Sequence, residues 1–228
     1  MSIQEVEVTL EELQSLDQDQ ILSSCKSPVY YELESAFGSI KGSNAAKLLS
    51  ATCSMHLKPE NPKAPFSPKF IMQDRRGLIA NDFSKESLNA LSQFCHSVTI
   101  PELQARLADI SWVTKVGSVE HAYIAIEAYL ESAKQLLAVG ESWVYPAERI
   151  ERALRLSCMF RRDTQRPDLF EKLAGFIKSE IDSKKLDDSP FYALRLLKLS
   201  HECGVGDDDW ILNTAEEIAQ TCFELGDT

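Results

Sequence analysis

The sequence predicts an all-α protein of stacked antiparallel helical hairpins, a short, repeat-like α-solenoid interrupted by a Pro-rich non-helical connector near residues 58–83. Three observations carry this. Apolar residues recur at three- and four-residue spacing through most of the chain. Ser or Thr precedes many of these segments and Gly follows several, as helix caps do. From residue 102 onward the segments recur with a regular offset. First helices begin near 102, 147 and 189 and second helices near 120, 167 and 209, a spacing of about 42–47 residues that lies near the periods of helical-hairpin proteins.

Taken in order, the chain opens with an acidic, Gln-rich stretch in which Thr9 and Glu12 have capping-box spacing. A short helix follows with Leu10, Leu13 and Leu16 on its apolar side. Pro28–Phe37 reads as a second helix, with Pro in its first turn and Gly38 just beyond it. Ser43 caps a third, expected to run to Leu57, with Ala46, Leu49, Cys53 and His56 on one side. Prolines 59, 62, 65 and 68 then forbid a helix. They predict an extended connector, in preference to a PxxP ligand for an aromatic groove. Residues 70–83 read as an irregular loop or a short hairpin around Arg76–Gly77. Three parts result: 1–57, 58–83 and a hairpin array over 84–228, which together can form one compact domain.

Ser84 caps a helix whose inner positions are Leu88, Leu91, Phe94, Cys95 and Val98. Thr99 is the expected N-cap of the next, with Leu103, Leu107, Ile110 and Val113 inward and the small Ala105 and Ala108 admitting a close neighbour. After Gly117, Ser118 caps a long partner carrying Ala122, Ile126, Tyr129, Leu130, Ala133 and Leu137. Ala147–Arg161 is expected to pair with Pro167–Ile181, and Ser189–Cys203 with Asp209–Leu225. The last segment keeps Trp210, Ile211, Leu212, Ile218, Cys222, Phe223 and Leu225, more apolar surface than one partner helix covers. A terminal repeat normally turns a polar face outward. This hairpin is therefore expected to meet a partner, a further domain of a longer array, or a second copy of the chain.

Thirty-five acids against 24 Lys plus Arg leave a net charge of -11, a field that repels nucleic acid and anionic membrane. No apolar run approaches the roughly 20 residues needed to cross a bilayer. The acidic start, MSIQEVEVTLEEL, has no secretory pattern, and a cytoplasmic location is expected. The six cysteines are widely spread, without CxxC, and read as small buried side chains.

The segments DRRGLIANDF, LQARLADISWVTK, HAYIAIEAYLESAKQL and ERIERALRLS resemble a bacterial family of large, mostly helical proteins known only as containing domains of unknown function. The resemblance covers about residues 66–225. It implies a helical N-terminal region, followed in that family by a second helical domain similar to HEPN-type nuclease modules. It carries over no catalytic residue. Arg195 and His201 have the spacing of the nuclease motif of that type, but Leu196 stands where the motif prefers a polar residue.

Two groups stand out as candidate sites. Arg106 and Asp109 lie at i, i+3 and can pair on one helix face, and with Trp112 they form a structural polar contact locking the first hairpin. Arg149, Arg152, Arg155, Arg161, Arg162 and Arg166 form a basic cluster in an acidic chain, the residue type that grips phosphate or carboxylate through a two-pronged fork. Glu148 to Arg152 and Glu151 to Arg155 are i, i+4 pairs that would instead satisfy part of the cluster internally. The pairs Cys53/His56, Cys95/His96 and His201/Cys203 hold zinc-binding residue types, but no spacing unites them. No metal site or cofactor is expected, and there is no phosphate loop or nucleophile elbow. The expected function is a non-enzymatic scaffold or sensor module contacting another protein or domain. The alternative is a regulatory or catalytic part of a HEPN-like ribonuclease or RNA-binding system using the Arg149–Arg166 cluster.

Overall fold

The computed structural model describes residues 7–59, 70–73, 80–159, 166–183 and 190–226. At the N-terminus, α1 (Leu10–Gln14) and α2 (Gln18–Ser23) start at Thr9 and Asp17, whose side chains accept from backbone amides of the first turn. The capping box between Thr9 and Glu12 forms as the spacing predicts. α3 (Tyr30–Ser39) begins two residues after Pro28, and α4 (Asn44–Ser54) is capped by Ser43.

α4 stops at Ser54, short of the predicted Leu57. Met55 turns extended, and its carbonyl accepts from the buried guanidinium of Arg106. The chain then enters β1 (His56–Pro59), which pairs antiparallel with β2 (Phe70–Gln73) in the register His56 to Gln73. Pro59 thus ends a strand, while the other three prolines lie outside the described residues. The stretch expected to fold around Arg76–Gly77 instead lends Phe70–Gln73 to a hairpin with the preceding strand, and Arg76 and Gly77 themselves lie outside the described residues.

After a 3-10 turn at Ala80–Asp82, α5 (Lys85–Phe94) is capped by Ser84 and followed by a second 3-10 turn, Cys95–Ser97. α6 (Pro101–Val113) has Ile100 at its N-cap without a side-chain bond. Thr99, the expected cap, is one residue too early. Its amide and hydroxyl both donate to Gln18 Oε1, tying α2 to the start of α6. Pro101 fills the first helical position, where its missing N–H costs nothing.

α6 and α7 (Val119–Ala138) form the tightest helix pair, with Ala105 and Ala108 fully buried. Their turn runs through Lys115, in left-handed conformation, and Gly117, whose amide bonds back to the Ser111 carbonyl. A Cβ on Gly117 would stand 2.7 Å from the His121 ring, so only glycine fits there. α7 ends in a Schellman motif, with Gly140 at positive φ and the Glu141 amide on the Leu136 carbonyl.

α8 (Val144–Met159) packs against α7 on one side and against α10 (Pro190–Cys203) on the other. α9 (Pro167–Asp182), expected as its close mate, makes only light contacts with α7, α8 and α10. The apolar stripe of α8 is claimed by the two helices flanking it. α11 (Asp208–Gly226) packs chiefly on α10, after a turn in which the Val205 amide bonds the Ser200 carbonyl and Gly204 takes positive φ.

The protein is therefore all-α among the described residues, apart from one short strand pair. One contiguous hydrophobic cluster runs from Val8 to Ile211. α6 lies at its centre and is buried from Glu102 to Ser111 at every position but Gln104, which is half-buried. No described helix is long and apolar enough to cross a membrane.

Candidate functional site

A helix so enclosed must bury most of the polar residues it carries. On α6 the charged ones are Glu102, Arg106 and Asp109, at i, i+4 and i+7, one stripe along the helix. α8 presents the complementary stripe. Arg149, Arg152 and Arg155 are all buried, and two of them reach across to α6.

Glu102 is the hub. Arg149 approaches it with two prongs, Nε to Oε2 at 2.9 Å and Nη2 to Oε1 at 2.7 Å. Arg106 donates Nε to Oε1 at 2.6 Å from one turn along, and the Ser132 hydroxyl donates to Oε2 at 2.7 Å from α7. Burial alone would raise the Glu102 pKa, but the Arg149 and Arg106 charges outweigh it and hold the carboxyl at about 2. One turn further on, Asp109 receives Arg152 with two prongs, at 2.7 and 2.6 Å, and the Tyr129 hydroxyl at 3.0 Å. Burial first, and then the Asp109 charge, push the Tyr129 phenol well above its ordinary pKa, so it stays a hydrogen-bond donor. The Tyr30 ring lies against both guanidinium groups at the hub, 4.9 Å from Arg106 and 5.3 Å from Arg149.

A second, shallower group adjoins this one. Glu151 accepts from Arg155 on its own helix at 2.9 Å and from Arg195 of α10 at 2.6 Å. Glu148 bonds Arg149 Nη1 at 2.9 Å rather than the expected Arg152, whose fork is taken by Asp109. Between these groups opens a cavity of about 210 Å³, lined by four arginines and two glutamates with Tyr30 and Tyr192 among its walls.

The predicted residues are thus distributed unevenly. Arg149, Arg152 and Arg155 come together with Arg106 and Asp109. Arg106 and Asp109, expected to pair with each other, instead take Glu102 and Arg152. Trp112 is half-buried against the core. Arg166 lies elsewhere, bonded to Glu127 and Asp168 and stacked 5.6 Å from the Tyr123 ring. Arg161 and Arg162 lie outside the described residues. Sequence reading missed Glu102, Tyr129 and Ser132 as members of the site, whereas Glu151 pairs with Arg155 as their i, i+4 spacing predicts. The available signal was the 102–106–109 polar stripe on an otherwise apolar helix, with a basic stripe at 149–152–155 on α8 to answer it.

Cys95, His96 and His121 bring possible metal-ligand atoms within 4.8 Å of one another, a grouping the sequence could not show. Their hydrogen bonds fit a structural clasp better than a metal centre. His121 Nδ1 accepts from the Ser118 amide at 3.1 Å, which places the ring proton on Nε2, 2.9 Å from the Ser92 hydroxyl. A metal at Nε2 would need that proton removed. Cys95 donates its thiol to the Ser92 carbonyl, and burial pushes its pKa up to about 12, far from a ready thiolate. Arg195 and His201 do not converge: Arg195 turns to Glu151, and His201 Nδ1 lies 3.0 Å from Asp208.

No curated protein and no solved structure shows significant similarity to the chain. One family does match, over residues 3–169, from the N-terminal helices to the start of α9. The match takes in the whole Glu102 and Asp109 network and leaves out α10, α11, Tyr192 and Arg195. It begins well before, and ends well short of, the 66–225 span over which the motifs resemble a family of unknown function. The chain accordingly belongs to the family described as Domain of unknown function (DUF7380).

Proposed function

We propose that this protein is a non-enzymatic helical interaction module of the cytoplasm that contacts another protein, a further domain or a second copy of itself through its last hairpin. The observation that carries this reading is α11. Of its described side chains only Ile211 is buried, although the helix has 19 residues, and Leu212 and Phe223 stand 54% and 75% exposed. Phe191, at the start of α10, adds a third exposed apolar side chain at 68%. Apolar surface of this kind on one hairpin is what a binding face presents.

The interior supports the same reading. The buried charged groups are spent on one another: Glu102 on two arginines, Asp109 on Arg152 and Tyr129. An arrangement of buried ion pairs holds helices in register and offers no base or nucleophile. A photo-crosslinking amino acid in place of Phe223, in the natural host, is expected to give a discrete crosslinked protein. Absence of any product, together with RNA cleavage lost on His201→Ala, would favour the HEPN-like alternative instead.

A further inference from the structure

We propose that the cavity between α8 and α10 binds a compact dianionic oxyanion, a phosphate group free or carried on a small molecule. The argument begins with charge balance. Five guanidinium groups, of Arg106, Arg149, Arg152, Arg155 and Arg195, meet three well-buried carboxylates, of Glu102, Asp109 and Glu151. Among the described residues, the guanidinium groups of this cluster exceed these carboxylates by two. Of the fourth nearby acid, Glu148, the carboxylate is 54% exposed and rests on Arg149 Nη1 through a single 2.9 Å contact. It occupies the place an incoming anion would take. It can leave for water while Glu102 keeps Arg149 in place.

The groups that remain are set for phosphate. Arg149 is held rigid by its two-pronged bond to Glu102, so its outer nitrogen is aimed without further ordering. Arg195 is 47% exposed and free to turn, and its present partner Glu151 keeps Arg155 when it does. A dianion seated between Arg149 and Arg195 would match that excess and tie α8 to α10, the helix on which α11 packs. The cavity, at about 210 Å³, has room for the oxyanion and part of what carries it.

Calorimetric titration of the full chain with inorganic phosphate and with O-phosphoserine tests this, with acetate as the monoanion control. Saturable binding of either phosphate compound, and not of acetate, is expected. Both informative substitutions lie on partly exposed side chains, so folding is preserved. Glu148→Gln removes the internal competitor and should tighten binding several-fold, and Arg195→Gln should weaken it about tenfold. Absence of saturable heat to about 10 mM phosphate would overturn the proposal, as would equal affinity in the wild type and both variants. Acetate binding as tight as phosphate would overturn it too.

Discussion

α8 and α11 are both amphipathic, and each carries nine apolar and five charged residues. Yet α8 buries 11 of its 16 residues, three arginines among them, while α11 buries Ile211 alone among its described side chains. The difference lies in neighbours. α8 is flanked by α7 and α10 and faces the polar stripe of α6 through its long arginines; α11 has essentially α10. Burial in a stack of helices follows position in the stack before it follows hydrophobicity. The interior then needs charged residues to satisfy charged residues, and the end of the stack is left with leucine and phenylalanine in water.

The largest effect should come from breaking the interior pairs. Asp109→Asn leaves the Arg152 charge buried without its counter-ion, and about 3–5 kcal/mol of stability should be lost in a denaturant titration. Glu102 gives a pH signature. Its folded pKa, about 2, lies below the ordinary 4.5, so the fold binds the ionised form more tightly. Its contribution is complete above about 4.5 and is lost as pH falls toward about 2. Acid unfolding of the wild type should therefore deepen across that window, and Glu102→Gln should be destabilised at neutral pH with a flatter acid limb. Gly117→Ala comes next: the new methyl meets the His121 ring and should cost about 1–3 kcal/mol, read by thermal melting. Smallest is the pair Leu212→Lys and Phe223→Lys, each expected to change stability by less than about 0.5 kcal/mol while abolishing partner contact.

The same contrast marks what could be read from sequence. The helices were legible because capping residues and apolar spacing are local: Ser43, Ser84 and Gly140 sit where their chemistry places them. The unpaired face of α11 was legible because Leu212 and Phe223 exceed what one partner covers. The ionic site was half legible. Arginine spacing on α8 stood out, but Glu102 stands in the first turn of α6, where an acid is favoured by the helix dipole without any partner, and Tyr129 looked like plain core. Which acid meets which arginine depends on α6 lying at the centre, a tertiary fact no local pattern encodes. The strand pair was missed because β1 and β2 are each four residues long and separated by residues of a different character. The pairing of α8 and α9 was misread because chain adjacency stood in for packing.

Hydrogen exchange read by mass spectrometry across α8 and α11 bears most directly on this division into a locked interior and an open end. In the isolated protein, α8 amides should exchange only through global unfolding, and α11 amides through openings several kcal/mol cheaper. Asp109→Asn should lower the protection of α8, and Phe223→Lys should leave it unchanged. Protection of α11 equal to that of α8 in the isolated chain would contradict the account.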